Sequence, residues 1–151
     1  MKVIKIWFII VLLIFIISCN NEQNKKIAKE LVYKHAKAWE MGDYELLDFI
    51  LHEDIVFAYP GRRLNKQETL ADLIEYNKSF KDTKIYINKI IVDGNDLSVE
   101  WQFASTNIKT GNRTAVSDAI IGKIKDDKSM VWKEYLDGRV SRLQAAGNLT
   151  L

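Results

Sequence analysis

The chain has 151 residues, of which 22 are basic, 20 are acidic, one is proline and one is cysteine. This length fits a single domain, and a single cysteine excludes an internal disulfide. Once Lys2 and Lys5 of the first 18 residues are set aside, basic and acidic residues are equal in number. The rest of the chain therefore lacks the net positive charge that nucleic-acid binding requires, and we expect no nucleic-acid partner.

The first 18 residues have the pattern of a secretory signal peptide. Two lysines precede an unbroken apolar run over residues 6–17, which is shorter than the roughly 20 residues that a membrane-spanning helix needs. The sequence Ile-Ile-Ser-Cys that ends at Cys19 resembles a bacterial lipobox, whose cysteine is acylated, for example with palmitate, and becomes the new N-terminus. We therefore expect a lipoprotein with a tether over residues 19–25, exported and lipid-anchored to a bacterial cell-envelope membrane. The alternative is an uncleaved membrane anchor.

Helices are predicted in the first half of the remaining chain. Apolar residues recur at helical spacing, Asp43 is placed to cap one helix, and Asn65 with Glu68 has the spacing of a capping box for another. In chain order, the predicted elements are helices over residues 26–41 and 44–51, a strand over residues 55–59, and a third helix that ends at about residue 80.

The period of the apolar residues changes to two from residue 84 onward, which predicts strands. The turn Asp93-Gly94-Asn95-Asp96 is a strong hairpin signal. The predicted strands cover residues 85–92, 97–106, 113–125 and 129–144. Helices followed by a meander of long strands predict an α+β domain over residues 26–147. A curved antiparallel sheet closed by the helices would leave a cone-shaped cavity, and residues 148–151 would form a tail.

Several short motifs occur in order at the two ends of this domain. They are Ala-Trp-Glu-Met-Gly-Asp at residues 38–43, Leu47, Glu-Asp-Ile-Val-Phe at residues 53–57, Pro60-Gly61, Asp137, Leu143-Gln144 and Gly147. This order resembles SnoaL-like proteins, the polyketide-cyclase-like branch of the nuclear transport factor 2-like superfamily. The resemblance implies a cone-shaped α+β fold with one pocket and a homodimer formed through the sheet. It also implies that Asp137 stands where cyclases place a catalytic base.

Three polar residues interrupt apolar faces on separate predicted elements. His35 lies within the apolar arc of the first helix, Asp118 is in phase with apolar residues of one strand, and Glu134 is in phase with those of the next. His35 is either a general acid or base or a core histidine, and the two carboxyls either line the cavity or pair with cations at its rim. We predict that all three converge on one cavity, where a buried acid would have a raised pKa.

The position of Asp137 leaves two assignments open. Simple alternation along the strand places Asp137 on the face opposite Glu134, whereas a bulge at Gly138 would turn it inward. The catalytic role that the resemblance implies for Asp137 therefore falls to Asp137 itself, to Glu134, or to neither.

Aromatic residues are candidates for the wall of the cavity, with ordinary core packing as the alternative. The candidate ligand-binding residues are Trp39, Tyr59, Trp101, Phe103 and Trp132. Two histidines and a single cysteine do not provide a transition-metal site, so we expect neither metal nor cofactor.

Two functions remain open on these grounds. The first is a pocket that binds a small apolar molecule and, if the protein is an enzyme, performs acid–base chemistry of the isomerase, lyase or cyclase type with its carboxyl groups. The second is a non-catalytic protein-interaction module of the cell envelope. The first predicts an open cavity with polar groups at its end, and the second predicts a filled cavity and an exposed apolar sheet face.

Overall fold

The computed structural model describes the backbone of residues 2–139 and the side chains of residues 22–139. Its elements are helices α1 (Lys2–Met41), α2 (Tyr44–Ile50) and α3 (Lys66–Ser79), and strands β1 (Leu51–Tyr59), β2 (Arg62–Leu64), β3 (Phe80–Asp93), β4 (Asp96–Asn107), β5 (Arg113–Lys125) and β6 (Lys128–Leu136). The side chains of the predicted signal peptide, that of Cys19, and the tail at residues 148–151 lie outside the described part. Within that part, no helix is long and apolar enough to cross a membrane.

Local capping explains where α2 and α3 begin. The Asp43 side chain accepts a hydrogen bond of 2.9 Å from the backbone N–H of Leu46. At the start of α3, the Asn65 side chain accepts from the backbone of Glu68, and the Glu68 side chain accepts from the backbone of Asn65. Both caps satisfy N–H groups that have no partner inside the helix. The capping box predicted from the sequence is confirmed.

The six strands form one sheet in the order β2-β1-β6-β5-β4-β3. All neighbouring strands are antiparallel except β1 and β6, which are parallel. The α+β class is confirmed, but the sheet is mixed rather than wholly antiparallel. Strand β1 lies far before β6 in the chain. Its direction relative to β6 depends on the path of the helix and hairpins between them. Alternation within a single strand carries no information about that direction.

The helices cover one face of the sheet, and the core lies between them. Register shifts in β3 between Lys81 and Lys84 and between Ile87 and Lys89 mark bulges, which increase local twist and bend a strand. The sheet is curved but does not close, since β2 and β3 remain its two edges. Its concave face therefore forms a cone with the helices, and the cavity described below lies inside it.

Candidate functional site

A cavity of about 270 Å³ lies between the concave face of the sheet and helices α1 and α3. Its lining consists of aromatic rings, three carboxyl groups and two aliphatic side chains. These residues are Trp39, Phe57, Tyr59, Tyr76, Trp101, Phe103, Asp72, Asp118, Glu134, Val116 and Leu136. The volume is slightly below the range of about 300–1,000 Å³ that holds drug-sized ligands. The cavity therefore suits a small molecule with a mostly apolar surface.

Asp118 occupies the sheet wall of the cavity on β5. It pairs in register with Trp101 of β4, whose indole N–H donates a 2.9 Å hydrogen bond to Oδ2. The backbone N–H of Tyr135 donates to Oδ1 at 3.0 Å. Burial raises the pKa of Asp118, and these two hydrogen bonds to the carboxylate partly offset the increase. The carboxyl is thus held firmly, with both oxygens engaged by donors.

Glu134 lies beside Asp118 on the same face of the sheet. Since Asp118 pairs with Leu136 and Ile120 pairs with Glu134, the two acids are diagonal neighbours across β5 and β6. The indole N–H of Trp132 donates to Oε1 of Glu134 at 2.9 Å. Burial, and secondarily the negative charge of Asp118, raises the pKa of Glu134 to about 8. At neutral pH Glu134 is therefore mostly protonated.

A third acid, Asp72 on α3, lies at the mouth of the cavity. It accepts hydrogen bonds from the Tyr59 hydroxyl at 2.9 Å and from Nη1 of Arg62 at 2.7 Å. The Arg62 guanidinium also lies over the Tyr59 ring, 5.8 Å from its centroid. Sequence reasoning missed Asp72. The available signal was that Asp72 shares a helix face with Thr69 and Tyr76, three residues before it and four after it, which are buried and partly buried.

His35 does not line the cavity, contrary to the prediction of three converging groups. Its ring stacks on Trp132 with centroids 3.8 Å apart, and its Nε2 is hydrogen-bonded to the Ser129 hydroxyl at 2.9 Å. Complete burial lowers the pKa of His35 to about 3, so the ring is neutral. His35 packs on Trp132 beside the cavity, whereas Trp39, one helical turn further along the same face of α1, lines it. Of the two roles considered for His35, acid–base group or core histidine, the structure shows the core histidine.

Trp132 and Asp137 also differ from their expected places. Trp132 is fully buried and lies outside the cavity lining, where its indole orients Glu134 instead of contacting a ligand. Asp137 follows the end of β6, is exposed, and accepts a hydrogen bond from the backbone N–H of Arg139 at 3.0 Å. No inward bulge places Asp137 in the cavity. The other four candidate ligand-binding residues, Trp39, Tyr59, Trp101 and Phe103, line it.

The SnoaL-like domain family matches residues 32–132, a span that contains α2, α3 and the first five strands and ends just before Glu134. The chain belongs to the SnoaL-like domain family. No curated protein matches this SnoaL-like chain significantly in sequence.

Solved structures confirm the fold. An epoxide hydrolase of M. tuberculosis described as LEH-like has 18% identity and a TM-score of 0.72, with 82% of this chain and 92% of that chain covered. A protein of Acidithiobacillus ferrooxidans named as a polyketide cyclase has 18% identity and a TM-score of 0.71, covering 82% and 96%. IdmH of Streptomyces antibioticus, also named as a polyketide cyclase, has 15% identity and a TM-score of 0.70, covering 79% and 98%. At these identities the likeness concerns the fold, the α+β cone with a pocket.

Proposed function

We propose that this SnoaL-like domain binds a small, mostly apolar molecule in the cavity and moves a proton on it with Asp118 and Glu134. The observation that carries the proposal is the placement of two neighbouring carboxyls, each held by an indole N–H, in an apolar aromatic cavity. An acid–base pair needs one group that donates a proton and one that accepts it. Glu134, whose pKa is raised to about 8, supplies the proton, and Asp118 is the base.

The geometry supports this division of roles. Asp118 accepts two hydrogen bonds, which favour its ionised form, whereas Glu134 accepts one from Trp132 and faces the negative charge of Asp118. The negative charge of Asp118 opposes ionisation of Glu134, so the pair retains one proton over a wide pH range. The reaction class that fits is proton transfer of the isomerase, lyase or cyclase type.

Hydrogen–deuterium exchange of a small cyclic ketone in D₂O tests the proposal. We expect the domain to accelerate exchange of the protons beside the carbonyl of cyclopentanone, and Asp118→Asn to reduce the acceleration about a hundred- to ten-thousand-fold. Glu45→Gln is the matched control, because Glu45 on α2 is exposed and lies outside the cavity lining and the outer face of the sheet. Exchange no faster than in buffer, or equally fast in Asp118→Asn, would argue against acid–base catalysis.

We also propose that the mature domain is tethered to a cell-envelope membrane through acylated Cys19. The support is in the sequence: two lysines, a twelve-residue apolar run over residues 6–17, and a lipobox-like sequence that ends at the only cysteine. More than one acyl chain on this residue gives firm anchoring, since a single chain binds membranes only marginally. Cys19→Ala should leave the chain unlipidated, with a changed mass and lost membrane partitioning. An unchanged mass and an unchanged distribution would contradict the anchor.

A homodimer formed through the outer face of the sheet is part of the same proposal. That face exposes four large apolar side chains on β3, β5 and β6, namely Tyr86, Ile91, Ile121 and Tyr135. Exposed apolar side chains that share one surface mark interaction sites. We expect a dimer in sedimentation equilibrium at high micromolar concentration, and a monomer when Ile121→Glu places a charge on the face. A monomeric wild type would remove this part of the proposal.

A further inference from the structure

Some polar groups of the cavity already have hydrogen-bond partners within the protein, and others do not. The Tyr59 hydroxyl and the Trp101 indole donate to Asp72 and Asp118, which also line the cavity. The Trp39 indole N–H is buried and unpartnered among residues 22–139. Glu134 uses Oε1 for the Trp132 indole, and no hydrogen bond from another described residue reaches its Oε2. Oε2 of Glu134 is therefore open to a hydrogen bond from a ligand in the cavity.

Aromatic rings form a continuous arc around the two acids, from β4 across helices α3 and α1 to β1. Each ring in this arc contacts the next, with centroids 5.6 to 6.2 Å apart. In order, they are Phe103, Tyr76, Trp39, Phe57 and Tyr59. The faces of aromatic rings carry partial negative charge and attract cations, most strongly where water is excluded.

The charges around the cavity are of one sign. Three carboxyls line it, and no Lys, Arg or His of the described residues does. Arg62 reaches only the mouth, where it pairs with Asp72 and lies over the Tyr59 ring. The Asp72 carboxyl and the Tyr59 ring thus bind one cation, the Arg62 guanidinium, between them. On the sheet, no cation among residues 22–139 pairs with Asp118 or Glu134.

We propose that the ligand of this cavity is a small organic ammonium, with its apolar body against the aromatic arc and its N–H group directed at Glu134 beside Asp118. This inference rests on the proposed function in using the same cavity, and it narrows the ligand class to apolar amines. Once the ammonium is bound and Glu134 is ionised, the ammonium N–H rather than Glu134 is the proton donor beside Asp118. Within the cavity the ammonium would contact a carboxyl and aromatic rings, as Arg62 does at the mouth. Neutral apolar molecules of equal size would lack this charge contact.

A cation at this position changes the protonation of the acids. Among the described residues, the titratable and charged groups that face Glu134 are Asp118 on β5 and Asp72 on α3, the latter paired with Tyr59 and Arg62. Lys133 is the neighbour of Glu134 on β6 and lines a second, smaller pocket with it, and neutral His35 lies behind Trp132. An ammonium favours ionised Glu134, so its pKa falls on binding. Since the pKa of the free carboxyl is about 8, binding near pH 7 releases a proton, and affinity increases as the pH rises toward 8.

Isothermal titration calorimetry with benzylammonium and its neutral counterpart benzyl alcohol tests the inference. In wild-type protein near pH 8 we expect benzylammonium to bind about tenfold more tightly or better. Near pH 7 its binding enthalpy should depend on the ionisation enthalpy of the buffer, which reports proton release. Glu134→Gln should reduce the preference to about twofold or less and abolish proton release, while benzyl alcohol still binds. Glu45→Gln, which removes an exposed carboxyl on α2, should behave as wild type and excludes general attraction of the surface for cations.

The outcomes separate this inference from the proposed function. Equal binding of both probes by the wild type would overturn the ammonium ligand and leave an apolar acid–base pocket standing. A preference for benzylammonium that survives in both Glu134→Gln and Asp118→Asn would also overturn it. If neither probe binds, both the ammonium ligand and the role of the cavity as a binding site are rejected. If only the exchange of the ketone protons fails, acid–base catalysis alone is rejected.

Discussion

Glu134→Gln is expected to make the domain more stable than the wild type near pH 8. In the folded wild type the pKa of Glu134 is about 8, whereas an unfolded glutamate has a pKa of about 4.3. Between these values the folded state holds a proton that the unfolded state has lost, so stability decreases as the pH rises. The slope approaches about 1.4 kcal/mol for each pH unit from this group alone.

Glutamine keeps the shape and the acceptor for the Trp132 indole but does not titrate. Urea unfolding at about pH 5 and about pH 8 measures the effect. The free energy of unfolding of the wild type should decrease between these values by more than that of Glu134→Gln, with a difference of several kcal/mol. The same substitution should remove activity, a trade between stability and function that is common at active sites. Equal pH dependence of the two proteins would mean that Glu134 titrates normally and is not held in an apolar cavity.

His35 should make the domain sensitive to acid. Its pKa is lowered to about 3 by burial, whereas an unfolded histidine has a pKa of about 6.5. Between these values the unfolded state binds a proton that the folded state does not, so stability decreases as the pH falls from about 6.5 toward 3. The slope again approaches about 1.4 kcal/mol for each pH unit.

His35→Leu separates this titration from packing. Leucine cannot bind a proton, so the acid dependence between about pH 6.5 and pH 4 should become shallower. At neutral pH the variant should be less stable by about 1–3 kcal/mol, because the Ser129 hydroxyl loses its partner. Urea unfolding at several pH values should therefore give curves that approach or cross at low pH. Parallel curves would show that His35 titrates in the folded state as it does in the unfolded chain.

The sequence was most informative where one local rule decides the structure. The period of two and the turn at residues 93–96 located β3 to β5, and β5 runs over Arg113–Lys125 as predicted. Strand parity also put Asp118 and Glu134 on the inner face, since a carboxyl in phase with apolar residues on a strand must share their side of the sheet. The SnoaL-like resemblance, stated from motif order, is confirmed by the family match.

What the sequence did not predict depends on contacts between distant segments. The short strand β2 and the parallel pairing of β1 with β6 arise from tertiary packing. Helical periodicity placed His35 on the buried face but does not distinguish residues packed beside the cavity from residues that line it. Asp72 was missed because its helix face became a cavity mouth only once α3 packed over β1, where the Tyr59 hydroxyl and Arg62 meet it.

The central claim is that Asp118 and Glu134 form one coupled pair in an apolar cavity. A ¹³C NMR titration of the carboxyl carbons in the wild type and in Asp118→Asn tests this claim most directly. In the wild type Glu134 should titrate far above the usual pKa of a glutamate, near 8. In Asp118→Asn the pKa of Glu134 should decrease, because the negative neighbour is gone, but remain raised by burial. A Glu134 that titrates near its usual pKa of about 4.3 in the wild type, or does not respond to Asp118→Asn, would contradict the account.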